Sequence, residues 1–184
     1  MTDDRQLIKS CLAGNANAQH QLYQQYASVM LGVCYRYTKS MEDAQDVLQE
    51  GFINVFKNLA QFKMEGELGA WIRRIMVNAA LNYLKRKKRY QYDMLLPEEH
   101  LHPVSDDDPI IQLNAKDVAM LIRQLPAGYQ TIFNLHAVEG YPHVEIAQMM
   151  GITESTSRTQ YMRARKLLID WLTKPGVKKL NHAG

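Results

Sequence analysis

Side chains that could bind a nucleic acid recur along residues 71–90, with the sequence WIRRIMVNAALNYLKRKKRY, most of which is predicted to be one helix. Amides and cations follow one another there at steps of about four residues, as neighbours on one helix face do: Arg74, Asn78, Asn82, Lys85, Arg86 and Arg89. Amides can hydrogen-bond to base edges, and Lys and Arg neutralise phosphates. A basic run such as residues 85–89, which also contains Lys87, is usually a solvated surface. Its continuity with the amide stripe favours a strand of nucleic acid lying across the helix.

A second candidate site lies in residues 142–165, which have the spacing of a helix-turn-helix. Ala147 suits the inner face of a short first helix, Gly151 suits the turn, and Thr153 or Ser155 can cap the second helix. That second helix places hydroxyls and cations on one side: Ser155, Thr156, Arg158, Thr159 and Arg163. A recognition helix enters the major groove by its N-terminal end, where hydroxyls bind phosphates and Arg reads base edges. A plain helical hairpin is the alternative, but the hydroxyl-rich start favours DNA binding.

A compact polar patch precedes the basic helix. Asp46, Gln49 and Glu50 stand at positions i, i+3 and i+4, and the residues between them are apolar. An acidic patch does not bind DNA. It therefore indicates a protein partner or contact with solvent.

The elements that must position these groups are predicted to be helices. Apolar residues return at helical spacing, and no segment alternates as a strand would. Ser40 is a suitable N-cap for the helix that carries the polar patch, and residues 62–68 indicate a loop. The sequence therefore predicts an all-α fold, with further helices at residues 5–12, 16–37, 70–89, 113–125, 129–138, 143–150 and 154–172.

Charge and proline content divide these helices into two small domains. Between Tyr90 and Ala115 there are six carboxylates, three prolines and no Lys or Arg. This composition predicts a flexible acidic linker. We expect a first domain at residues 1–96, the linker at 97–112, a second domain at 113–174 and a basic tail at 175–184. A basic–acidic–basic layout suggests two anion-binding modules, although chance clustering would look the same.

Other features argue against several classes of protein. Cys11 and Cys34 lie too far apart for a metal motif or a disulfide framework, which predicts a reducing compartment. No signal peptide and no apolar run long enough to cross a bilayer is present, so we expect a cytoplasmic protein without membrane insertion. The sequence lacks a glycine-rich phosphate loop and a nucleophile–base arrangement. His136 and His143 are expected at the surface or at helix turns. We expect neither an enzyme nor a bound metal or cofactor.

Taken in order, the segments resemble bacterial sigma factors of the sigma-70 family, specifically the small extracytoplasmic-function (ECF) group. DAQDVLQEGFINVFKNLAQF resembles region 2.2, and FKMEGELGAWIRRIMVNAALNYLKRKKR resembles regions 2.3 and 2.4. LPAGYQTIFNLHAVEGYPHVEIAQMMGITESTSRTQYMRARKLL resembles regions 4.1 and 4.2. The resemblance covers nearly the whole chain. It implies a region 2 bundle and a region 4 helix-turn-helix in a subunit that binds core RNA polymerase, recognises minus-35 and minus-10 promoter elements and promotes DNA melting.

The resemblance also implies roles for single residues. Asp46, Gln49 and Glu50 match the positions that bind the clamp helices of the polymerase β′ subunit. Asn78 and Asn82 match contacts to the minus-10 element, with the neighbouring cations Arg74, Lys85, Arg86, Lys87 and Arg89. Residues 62–68 match the loop that captures a flipped base, and residues 155–165 match the minus-35 recognition helix. The implied partners are core RNA polymerase (β′ clamp helices and β flap), promoter DNA and an anti-sigma factor.

Two positions of the recognition helix depart from the family pattern. Many members have an apolar residue at the position of Ser157 and an arginine at that of Gln160.

A stand-alone DNA-binding regulator is the alternative to a sigma factor. The acidic patch separates the two hypotheses, because a simple repressor needs no site for docking on polymerase.

Overall fold

The computed structural model describes residues 2–93 and 115–173, and side chains at residues 4–87 and 117–173. Residues 2–93 hold four helices: α1 (Thr2–Leu12), α2 (Ala16–Tyr35), α3 (Met41–Asn58) and α4 (Leu68–Asp93). Residues 115–173 hold four more: α5 (Ala115–Gln124), α6 (Ala127–Phe133), α7 (His143–Met150) and α8 (Glu154–Thr173). A short 3-10 turn, Leu59–Gln61, follows α3. The described residues contain no strand, so the predicted all-α fold is confirmed.

The helices form two units, and the chain divides between residues 94 and 95. The first unit contains α1–α4 and the second contains α5–α8. The predicted linker at residues 97–112 and the basic tail at 175–184 lie outside the described residues. The exact domain bounds therefore stay predictions.

Close packing of α3 against α4 holds the first unit together. Val47, Ile72 and Met76 are almost completely buried in its core. Gly51 permits the close approach, because a Cβ atom at this position would lie 2.2 Å from the Met76 sulfur. The predicted cap at Ser40 is confirmed, since its Oγ accepts a hydrogen bond of 3.0 Å from the Asp43 amide. These local and packing contacts fix the face of α4 that points away from the core.

The second unit has its own apolar core, built from α5, α6 and α8. The buried residues of this core share an aliphatic character and are Leu121, Ile122, Leu125, Ala164 and Leu168. The helix predicted at residues 129–138 is instead divided: α6 ends at Phe133 and a π-helical segment, Asn134–Val138, follows it. The turn between α7 and α8 agrees with the prediction, because Gly151 has φ of 67° and Ala147 is buried.

Candidate nucleic-acid interface

Helix α4 is divided along its length into a buried side and an exposed side. Ile72, Met76 and Ala80 are completely buried against the first unit. The predicted polar stripe lies on the other side, where Arg74, Asn78, Asn82, Lys85 and Arg86 are all exposed. Lys87 is exposed as well, but it lies one turn after Tyr83 on the side of α4 that faces α3. Arg89 belongs to α4, but its side chain is outside the described ones. The helical period thus brings two amides and several cations to one continuous surface.

Two of these cations are engaged by carboxylates of α3. Arg86 donates two hydrogen bonds to Glu50, of 3.0 Å to Oε1 and 2.6 Å to Oε2. The hydrogen bond from Arg86 lowers the pKa of Glu50, and the same contact raises the pKa of Arg86. The side chains are 55% and 37% exposed, so solvent screens the pair, and its contribution to stability is about 1 kcal/mol at most.

The second cation belongs to a three-residue cluster. The Nζ of Lys87 donates to the Tyr83 hydroxyl at 3.0 Å and lies 3.3 Å from Asp43 Oδ2. The Tyr83 hydroxyl donates to Asp43, which is the main cause of the lowered pKa of that carboxyl group. We call this cluster and the Arg86–Glu50 pair together the α3–α4 clasp. The sequence pattern did not single out Asp43, so its contact with Lys87 was missed.

The outer face of α3 carries the predicted polar patch. Asp46 and Gln49 are exposed, and Glu50 is half-buried because of its contact with Arg86. One turn further along the same face, Ile53 is also exposed, at 48%. An apolar side chain beside polar ones is typical of the centre of a protein–protein interface. The sequence pattern did not single out Ile53, because its neighbours Phe52 and Val55 define the buried side.

The start of α8 presents the predicted hydroxyls and arginines. Ser155, Arg158, Thr159 and Arg163 are exposed, and Thr156 is half-buried. The cap comes from Thr153, whose Oγ1 accepts a hydrogen bond of 3.1 Å from the Thr156 amide. Arg158 donates from Nε to Glu154 Oε1 at 2.9 Å within the same helix. This arrangement can place a helix N-terminus, hydroxyls and one arginine against a DNA groove.

Both halves of this architecture match a known family. Residues 22–90 match the family model for Sigma-70 region 2. Residues 115–168 match that for Sigma-70, region 4. The chain belongs to the sigma-70 family. It is an RNA polymerase sigma factor that acts in transcription initiation, and its first unit contains the residues that match region 2 while its second contains those that match region 4. The match to both regions favours this over the stand-alone regulator considered as the alternative.

Curated relatives narrow the family to its ECF group. This chain is similar to the RNA polymerase sigma-H factor of Pseudomonas aeruginosa, with 28% identity over 176 residues, covering 90% of this chain and 91% of that protein. The ECF RNA polymerase sigma-E factor of Haemophilus influenzae is 29% identical over 178 residues, with coverage of 90% and 93%. The ECF RNA polymerase sigma factor SigM of Mycobacterium tuberculosis is 27% identical over 165 residues, with coverage of 90% and 82%.

A solved structure supports the same fold. It is that of the sigma factor RpoE from Bartonella quintana in complex with the anti-sigma factor NepR. The two chains share 18% identity and a TM-score of 0.53, with 83% of this chain and 95% of that chain covered. At this level of identity the likeness concerns the helical fold.

One of the two positions predicted for His143 in region 4 is wrong. His143 does lie at a helix terminus, as the first residue of α7, but its side chain is not at the surface and is buried, at 9% relative exposure. Its Nδ1 lies 2.9 Å from the Oγ of Ser157, which is completely buried. His143 opens α7 on the side that packs against α8, which removes it from solvent. Burial is the main cause of its lowered pKa, followed by the charges of His136 and Arg158.

The described part of this sigma factor contains neither an arrangement of metal ligands nor a membrane-spanning helix. Among residues 2–93 and 115–173, no group of three or more His, Cys, Asp or Glu side chains is arranged to hold a metal ion. Within the same ranges, none of the helices is both long and apolar enough to span a membrane.

Proposed function

We propose that this sigma factor divides promoter recognition between α4 and α8 and docks on polymerase through α3. In this proposal Asp46, Gln49 and Glu50 bind the β′ clamp helices of core RNA polymerase. The amides Asn78 and Asn82 contact the minus-10 element, and the surrounding cations hold its phosphates: Arg74, Lys85, Arg86, Lys87 and Arg89. The minus-35 element is read by Ser155, Thr156, Arg158, Thr159 and Arg163.

The observation that carries the proposal is the two-sided character of α4. Its buried side packs on α3, while the side bearing Asn78 and Asn82 is exposed and continues into the basic end of the helix. Amides alone would suit many surfaces, and cations alone would suit any polyanion. A continuous surface with both suits a DNA strand whose bases have become accessible, because amides need base edges and cations need phosphates.

The remaining features of the proposal follow from the family and from the relatives. The protein acts by binding and not by catalysis, and it works in the cytoplasm, where its polymerase is. Region 4 contacts the β flap of polymerase. An anti-sigma factor regulates it, as the Bartonella quintana sigma factor binds one. The predicted linker, residues 97–112, joins the two DNA-binding regions.

Transcription in vitro tests the assignment of α8. The full-length protein is combined with core RNA polymerase on two templates, one with an intact minus-35 element and one with this element scrambled. Arg158→Ala should lower transcription from the intact template and do little on the scrambled one, because a base contact has value only at its own sequence. Lys166→Ala is the matched control, since Lys166 is an exposed cation of the same helix, about 12 Å further along it. Equal losses on both templates for Arg158→Ala would argue against base recognition by this residue.

A further inference from the structure

A buried polar pair lies directly behind the proposed DNA-reading surface of region 4. Ser157 stands between Thr156 and Arg158 in the sequence but points inward, with no exposed surface. Its Oγ is 2.9 Å from Nδ1 of His143, which is the first residue of α7. The hydrogen bond therefore joins the two helices of the helix-turn-helix at the end of α8 that faces DNA.

The imidazole of His143 is itself held from a second direction. Its ring stacks on that of His136, with the ring centroids 4.1 Å apart and the planes at 22°. His136 is fixed in turn, because its Nδ1–H donates to the carbonyl oxygen of Tyr141 at 2.9 Å. The Tyr161 ring of α8 packs edge-on against His136, at 4.6 Å and 78°. His143 is thus held between the π-helical segment and α8.

Among the described residues, this pair forms a directional side-chain contact between α7 and the first turn of α8. The other buried residues of the helix are Ala164 and Leu168, which lie about 10 Å or more further along it. Apolar packing is non-directional and tolerates small rotations of a helix about its axis. A buried hydrogen bond requires a narrow range of angles and distances. The hydrogen bond between His143 and Ser157 therefore restricts the rotation of the first turn of α8, together with the Tyr161 ring that packs on His136 one turn further along.

We propose that His143 is a positioning residue for minus-35 recognition, because its hydrogen bond to Ser157 sets the rotation at which α8 presents Thr156 and Arg158 to DNA. The proposal rests on the proposed function of α8. It also gives a physical role to Ser157, where many family members carry an apolar residue.

Protonation of His143 is disfavoured in this site, because the imidazolium would be buried and would face His136 and Arg158. The titratable or charged groups that face His143 are His136 on the π-helical segment and Glu154, Arg158 and Tyr161 on α8. Burial, His136 and Arg158 lower the pKa of His143 below its ordinary 6.5, and Glu154 opposes them. Folding therefore favours the neutral form of His143. The contribution of this form to the stability of the fold is complete above pH 6.5 and is lost as the pH falls through the lowered pKa. Recognition of the minus-35 element should weaken in the same direction.

The experiment uses the full-length protein with core RNA polymerase on a promoter selected from a random library with the wild-type chain. The measured quantity is the ratio of transcripts from the intact template and from one with a scrambled minus-35 element, between about pH 5 and about pH 8. The ratio removes the pH response of the polymerase itself. The variants are Ser157→Ala and His143→Asn, and His20→Asn is the matched control, since His20 is exposed on α2.

Ser157→Ala should lower the ratio about fivefold or more at neutral pH, because it leaves the buried imidazole without its partner. His143→Asn keeps a side-chain amide near the Nδ1 position and cannot titrate. It should stay within about twofold of the wild-type ratio and should lose the decline at low pH that the wild type and His20→Asn show.

Two results would overturn the proposal: a wild-type ratio for Ser157→Ala, or a wild-type pH profile for His143→Asn. If circular dichroism shows that Ser157→Ala is not folded, the pH profile of His143→Asn decides alone. A ratio of one for the wild-type protein would instead refute the proposed function of α8. The failure of the two proposals is therefore distinguishable.

Discussion

Asp43→Asn should strengthen DNA binding by this sigma factor, although the change is made on α3 and not on the DNA-facing helix α4. In the free protein the Lys87 ammonium lies 3.3 Å from the Asp43 carboxylate. A Lys87 side chain that binds a phosphate must leave this carboxylate. Asparagine removes the competing charge and leaves the volume of the side chain almost unchanged. Lys87 then becomes more available to DNA.

The exposure of the pair limits the size of the effect. The Lys87 side chain is 43% exposed and that of Asp43 is 26% exposed, so solvent screens their attraction. Pairs of this kind contribute about 0.2–1 kcal/mol. The gain in DNA affinity should therefore reach about fivefold at most. If Lys87 neutralises one additional phosphate, the slope of log affinity against log salt should become more negative by up to about 0.7 on single-stranded DNA.

The assay is fluorescence anisotropy of a labelled single-stranded oligonucleotide with the full-length chain, at salt concentrations from about 50 to about 200 mM. Glu42→Gln is the matched control. Glu42 is the preceding residue of α3, is exposed and lies in the same first helical turn. Both substitutions remove one negative charge and its favourable interaction with the helix dipole, which is worth about 0.3–1 kcal/mol. Only Asp43→Asn disrupts the contact with Lys87.

The reasoning is refuted if Asp43→Asn binds DNA no more tightly than Glu42→Gln does. A second measurement makes the attribution specific, because Lys87→Gln should abolish the gain when it is combined with Asp43→Asn. The lowered pKa of Asp43 also predicts the direction in which the stabilising contribution of this carboxylate changes with pH. Its stabilising contribution is present above the ordinary pKa of 3.8 and is lost as the pH falls through the lowered value. The clasp is therefore intact throughout a binding assay at neutral pH.

Other regions of the molecule give three further predictions. Gly51→Ala should destabilise region 2 by about 1–3 kcal/mol in chemical denaturation, because its Cβ would lie 2.2 Å from the Met76 sulfur. Gly32→Ala, in α2 with open space around it, should instead stabilise the protein by up to about 1 kcal/mol, and similar effects of both changes would contradict the close α3–α4 contact. Asp46→Ala should weaken binding to core RNA polymerase with a melting temperature close to the wild-type value, and unchanged affinity would remove Asp46 from the docking surface. Asn78→Ala should reduce the permanganate reactivity of thymines in the minus-10 element, and a pre-opened template should partly restore transcription. A defect of equal size on closed and pre-opened templates would show that Asn78 has no role in melting.

The sequence by itself determined the features that depend on near neighbours in the chain. The cap at Ser40 and the positive φ of Gly151 follow from the chemistry of one residue and its next few neighbours. Helical periodicity likewise separated the buried side of α4 from the side that carries Asn78 and Asn82. Each of these properties is local, so a linear pattern can contain it.

The division of α6 from the π-helical segment shows the limit of such patterns. Residues 129–138 have helical periodicity, but the structure changes from α-helix to π-helix after Phe133. The backbone pairing changes there to i→i+5, as in the 2.9 Å hydrogen bond from the Glu139 amide to the Asn134 carbonyl oxygen, and the π-helical segment is only five residues long. A periodic pattern therefore cannot distinguish the two.

Only the tertiary structure decided what the charged and polar side chains face. Arg86 pairs with Glu50, 36 positions away, and Lys87 with Asp43, 44 positions away. Both pairs exist because α3 and α4 pack closely at Gly51. His143 is buried for the same kind of reason, since its surroundings come from the π-helical segment and from α8. A helical period assigns each residue to a side of its own helix, but whether that side meets water, a cation or another helix depends on packing between segments distant in the chain.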